Sequence, residues 1–129
     1  MLRFLKTLPF LLFILLISCS EPARIEGFDS KEWKSDRAGC NGTRQEMQQK
    51  FESIRTGLYG RPEKEIIDIL GRADGEALMA RGQRVFYYYL EPGTQCQKKN
   101  FLSEANRAEV RFNALNRVSE ITYIRPLSK

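Results

Sequence analysis

At Asp74 the hydrophobic rhythm of this chain changes period, and that change fixes the class of fold. Before it, Met47, Phe51, Ile54 and Leu58 recur at offsets of four, three and four residues, one apolar stripe along a helix. After it, apolar and aromatic residues alternate in short runs separated by turn residues, the pattern of β-strands. Helices followed by a block of strands specify an α+β architecture: two N-terminal helices packed on one face of a three- to four-stranded antiparallel sheet.

Local signals set the expected bounds. Thr43 and Glu46 have the spacing of a capping box, and Gly57 suits a left-handed stop for the first helix. Pro62 suits the start of the second helix, Glu63 and Glu65 its positive end, and Gly71 its termination. Its residues Ile66, Ile67, Ile69 and Leu70 form a broad apolar face, so this helix should be the more buried. Ahead of both lies an arm, 28–42, in which Asp29 or Ser30 can cap a short helix and Trp33 supplies the apolar anchor.

Four strands follow. Ala77–Ala80 and Arg84–Leu90 read as a hairpin around Arg81-Gly82-Gln83, and Ala108–Phe112 and Arg117–Tyr123 as another around 113–116. In Arg84–Leu90 both alternating sets are apolar or aromatic, which marks a strand covered on one face and partly on the other. Tyr87, Tyr88 and Tyr89, with Phe86, either pack as core and cross-strand pairs or line a ligand groove. Val118 and Ile121 have opposite parity, so either a bulge shifts the register or both faces are partly covered.

The N-terminus has a separate character. Arg3 and Lys6 precede an apolar stretch, Leu8–Ile17, that closes on Ser18-Cys19. At about ten residues it is roughly half of the ~20 a spanning helix needs, and its order is that of a secretory signal peptide. A Cys directly after a small residue at this place resembles the lipobox of bacterial lipoproteins. The resemblance implies that residues 1–18 are removed and that Cys19 becomes the lipid-bearing first residue of the mature chain. More than one acyl chain at ~0.8 kcal/mol per buried CH2 makes a durable membrane anchor. Residues 19–27, short, polar and carrying Pro22, then read as a tether, and 28–129 as one domain.

With Cys19 assigned to lipid, Cys40 and Cys96 remain as an even pair in an oxidising compartment. As a disulfide they would close a long loop, worth about 4 kcal/mol in chain entropy, and pin the polar segment 91–105. The competing use, a redox or metal-binding pair, lacks Cys-x-x-Cys spacing, and the chain contains no histidine. Without histidine the usual triads and most zinc sites are absent, so no catalytic residue, metal site or cofactor is expected. The net charge of +5, interspersed along the chain and lowered by loss of Arg3 and Lys6, gives no indication of nucleic-acid binding.

Residues 63–71, Glu-Lys-Glu-Ile-Ile-Asp-Ile-Leu-Gly, followed by Arg72-Ala73-Asp74, resemble the helix and Leu-Gly-x-Pro-Asp signature of the SmpA/OmlA, or BamE-like, lipoproteins. The strand order after it, with Leu115-Asn116-Arg117-Val118 in place of the family's Gly-Lys-Val turn, is similar too. Ala73 stands where the family has proline, and the Cys40–Cys96 pair and long loop are additions. The resemblance implies a two-layer fold and a noncatalytic accessory role in outer-membrane protein assembly or envelope maintenance. The partners expected are the membrane, through Cys19, and another envelope protein. Trp33, Tyr87, Tyr88, Tyr89, Lys98 and Lys99 are the candidates for a binding surface; the alternative is a small-ligand or lipid-binding lipoprotein with an aromatic groove. Ser20 after the Cys, in place of an inner-membrane-retaining Asp, points to the outer membrane and its periplasmic face.

Overall fold

The computed structural model describes residues 18–127. The expected signal peptide, residues 1–18, lies outside the described residues apart from Ser18. Among the described residues, four helices precede a four-stranded antiparallel sheet, an α+β fold. They are α1 (Ser30–Ser35), α2 (Thr43–Glu46), α3 (Gln48–Leu58) and α4 (Glu63–Leu70). The strands β1 (Gly75–Leu78), β2 (Arg84–Tyr89), β3 (Arg107–Phe112) and β4 (Val118–Tyr123) lie in simple meander order.

The helical stripe is realised as read: Met47, Phe51, Ile54 and Leu58 are all buried, together with Ile66, Ile69 and Leu70 of α4. They meet Phe86, Tyr88, Ala108, Val110, Phe112, Val118 and Ile121 from the sheet. Trp33 is fully buried in this core and stacks on Phe51 at 5.0 Å between ring centroids. An aromatic pair of this kind is worth about 0.5–1.5 kcal/mol beyond its buried area.

Several local readings are corrected. The first helix is two pieces, bent at Met47, and Thr43 does not cap it; Gly42 precedes it in the left-handed region. The capping acceptor is instead Asp36, whose carboxylate receives the Asn41 N–H at 2.7 Å and the Arg44 N–H at 2.9 Å. That grip fixes the direction of α2 while α3 follows the core. Gly57 does not end α3, which runs to Leu58; its bare backbone instead makes room for Ile25, whose side chain would lie 2.8 Å from a Cβ there. Ile67 is 39% exposed, so the apolar face of α4 is narrower than its composition suggests.

The tether is also shorter than 19–27. Ala23 N–H bonds Asp68 Oδ2 at 3.1 Å, and Ala23, Ile25 and Phe28 pack against the core. This contact and the Lys64 ammonium hold the Asp68 carboxyl below its ordinary pKa.

In the sheet, a bulge between Arg111 and Phe112 sets Phe112 opposite Val118 and Arg111 opposite Glu120. It brings Val118 and Ile121 into one core despite their opposite parity. The turn between β3 and β4 is closed by Asn113, whose Oδ1 accepts from Leu115 N at 3.0 Å and Arg117 N at 3.1 Å. β1 begins at Gly75, two residues before the sequence suggested, because Asp74 N–H already bonds Tyr87 O at 2.8 Å.

Candidate functional site

Two features distinguish the end of the molecule where the arm, α4 and the long loop meet. The first is a buried ionic cluster. Arg44 and Asp74 form an ion pair of 2.6 Å with both side chains 1% exposed. Arg44 also donates through Nε to Trp33 O at 3.1 Å, and its guanidinium lies 4.7 Å from the Trp33 ring centroid. Asp74 further accepts from Ala38 N at 3.1 Å and Tyr89 N at 2.9 Å. One carboxylate thus ties the arm to β2. Ala38 is held at φ 57°, a left-handed conformation unfavourable for a residue with a Cβ. The bonds made by its N–H to Asp74 and by its carbonyl from Gln95 compensate. Its neighbour Gly39, at φ 67°, must be glycine, since a Cβ would sit 3.0 Å from Tyr89 O.

The second feature is the 91–106 loop. Cys40 and Cys96 form a disulfide, joining the loop to the arm. Buried Gln95 donates to Ala38 O at 3.0 Å and Glu91 O at 2.9 Å, and its Oε1 accepts from Ser103 Oγ. From the sheet, Tyr89 Oη accepts Ser103 N–H at 3.0 Å, and Arg107 donates to Ser103 O at 3.2 Å. Both legs of the loop are therefore fixed. The crest between them, 97–102, is exposed and presents Lys98, Lys99, Phe101 and Leu102; Phe101 is 46% and Leu102 55% exposed.

The proposed surface residues divide accordingly. Trp33, Tyr88 and Tyr89 are buried and are not surface groups. Trp33 is a core ring, Tyr88 reaches Gly71 O with its hydroxyl at 2.9 Å, and Tyr89 braces the loop. Burial, and secondarily the Asp74 charge, pushes the Tyr88 phenol well above its ordinary range. Tyr87 is half-buried, with the Arg107 guanidinium 4.6 Å from its ring centroid. Lys98 and Lys99 are exposed on the crest. Tyr87 lines a cleft of about 360 Å³ between β1–β2 and the crest, together with Tyr89, Phe101 and Leu102. This open cleft lies on the sheet face away from the helices; the helix-facing side is filled by the core.

Phe101 and Leu102 are the functional candidates that sequence reading passed over, although two large apolar residues inside a polar loop are a recognisable signal. Arg37 and Arg72 were also missed; only the fold sets Arg37 in one depression with Lys99 and bonds it to the Arg72 carbonyl. Among the described residues no group of three His, Cys, Asp or Glu side chains could hold a metal ion, and no helix is long and apolar enough to cross a membrane. Cys19 is exposed and unpaired. Comparison with known proteins returned no matching family model, curated protein or solved structure.

Proposed function

We propose that this chain is a lipid-anchored envelope protein that acts as a noncatalytic docking subunit, held to the outer membrane through acylated Cys19. The signal-peptide pattern ending at Ser18-Cys19 supports the anchor, and the resemblance of residues 63–74 to the SmpA/OmlA proteins supports an accessory role in outer-membrane protein assembly or envelope maintenance. The observation that carries docking is the crest of the long loop. Phe101 and Leu102 are held out to solvent by a segment whose legs are pinned by a disulfide and by buried hydrogen bonds. Such pinning lowers the ordering cost of a contact, and exposed apolar groups beside lysines fit a partly polar protein interface. A groove for a small ligand between helices and sheet has less support, because Phe86 and Tyr88 are consumed by the core.

A photo-crosslinking side chain at Phe101, introduced into the full chain in intact cells, tests this reading. It should yield a discrete protein adduct. Recovery of bulk lipid alone, or of no adduct, would sink the docking role.

A further inference from the structure

We infer that the open edge of β1 is a receptor for an extended, acidic segment of the docking partner, which adds to the sheet as a fifth strand. The inference rests on the docking reading and specifies its chemistry.

The two edges of the sheet are unlike. The outer edge of β4 is engaged at Val118 and Ile121: Gly60 N–H bonds Val118 O at 2.8 Å, Val118 N–H bonds Arg61 O at 3.0 Å, and Arg55 reaches Ile121 O at 3.5 Å. Among the described residues, no hydrogen bond from another element reaches the outer edge of β1, Gly75–Leu78. A strand in that state presents unpaired N–H and C=O groups, which an extended peptide can satisfy.

What surrounds this edge selects the peptide. Two depressions flank β1, one of them lined by Arg72, and both share Asp74 and Asn100 with a third that is lined by Arg37 and Lys99. Arg37 donates to the Arg72 backbone carbonyl at 3.0 Å, which brings its guanidinium to the segment just before β1. Neither these three nor Lys98 has a carboxylate partner among the described residues. The acids nearby are already engaged: Asp74 by Arg44, and Glu63 and Glu76 by Arg84. With Asp74, Glu63 and Glu76 so paired, Arg72, Arg37 and Lys99 leave an excess of positive charge at the Asp74 end of the edge. Tyr87, Phe101 and Leu102 supply an apolar wall on one side. Because side chains of an extended peptide alternate sides, carboxylates on one set and apolar groups on the other match this surface.

The test uses the full acylated chain in detergent micelles and a short peptide of alternating glutamate and valine, with its lysine–valine counterpart as control. The glutamate peptide should bind and slow amide hydrogen exchange at residues 75–78; the lysine peptide should not. Arg72→Glu combined with Lys99→Glu changes exposed side chains only, and should weaken binding by about tenfold, as should raised salt. Absence of binding, binding without protection of 75–78, or binding indifferent to the charge reversal would each overturn the inference. Phosphatidylglycerol–phosphatidylcholine vesicles are the second probe. Charge-dependent capture by vesicles without peptide binding would assign the cations to headgroups and overturn it too. A discrete crosslink from Phe101 alongside any of these failures would leave the docking reading intact; loss of both would remove it.

Discussion

Arg44 is the residue on which the arm and the sheet depend together. Its charge is desolvated, paired with Asp74, and stacked on Trp33. Arg44→Met would leave Asp74 buried without its cation, a change that typically costs about 3–5 kcal/mol. A chemical denaturation midpoint should fall accordingly. Adding Asp74→Asn should restore part of the loss, because the uncompensated charge goes with it. Two tyrosines give a second residue-scale expectation. Burial, reinforced for Tyr123 by its 2.5 Å hydrogen bond to Glu52, raises the phenol pKa of Tyr88 and Tyr123 above the ordinary value. With folded values raised above the unfolded value of about 10, their contribution to stability is complete below that pH and is lost as pH rises through the folded values. Ultraviolet titration should show these two of the five tyrosines still protonated near pH 10, with their phenolate signal appearing only as the chain unfolds.

The disulfide is where an element's position is decided by a covalent tie. Cys40 and Cys96 are separated by 56 in sequence, so their bridge restricts the unfolded chain over a long loop. The double change Cys40→Ser and Cys96→Ser should lower stability by about 2–5 kcal/mol in a denaturant titration. Hydrogen exchange should show the largest loss of protection within residues 91–106, since β3 and β4 keep their own pairing. The loop was legible as long, polar and pinned, and the pairing of Cys40 with Cys96 was expected once Cys19 was set aside for lipid. Its crest was not, because the exposure of Phe101 and Leu102 depends on where Gln95, Ser103 and Tyr89 fix the two legs. Such contacts join residues far apart in sequence, and no local spacing announces them.

For the whole molecule, the short tether would make the proposed anchor at Cys19 a determinant of position. With Ala23 bonded to Asp68, only residues 20–22 separate Cys19 from the globule. An extended chain spans at most about 3.6 Å per residue, so the domain would stand within roughly 15 Å of its lipid. Cys19→Ala should abolish incorporation of radiolabelled palmitate and release the protein from the membrane fraction. Unchanged acylation would refute the anchor. The Phe101 crosslink should be lost with it if the partner is membrane-bound, because tethering raises the effective concentration of the docking surface.

The sequence by itself determined the α+β class, the order of helices and strands, the apolar stripe of α3 and the pairing of Cys40 with Cys96. Those follow from periodicity and turn chemistry, which act over a few residues, and from the cysteine count once Cys19 is set aside by its place after the apolar N-terminal stretch. The tertiary structure alone decided that Trp33, Tyr88 and Tyr89 are interior, that Asp36 caps α2, that Arg44 meets Asp74, and that β1 is left open. An aromatic run has the same pattern whether its rings fill a core or face solvent. A charge gives no local sign of a partner thirty residues away, and the difference between a closed and an open sheet edge exists only once the other elements have packed.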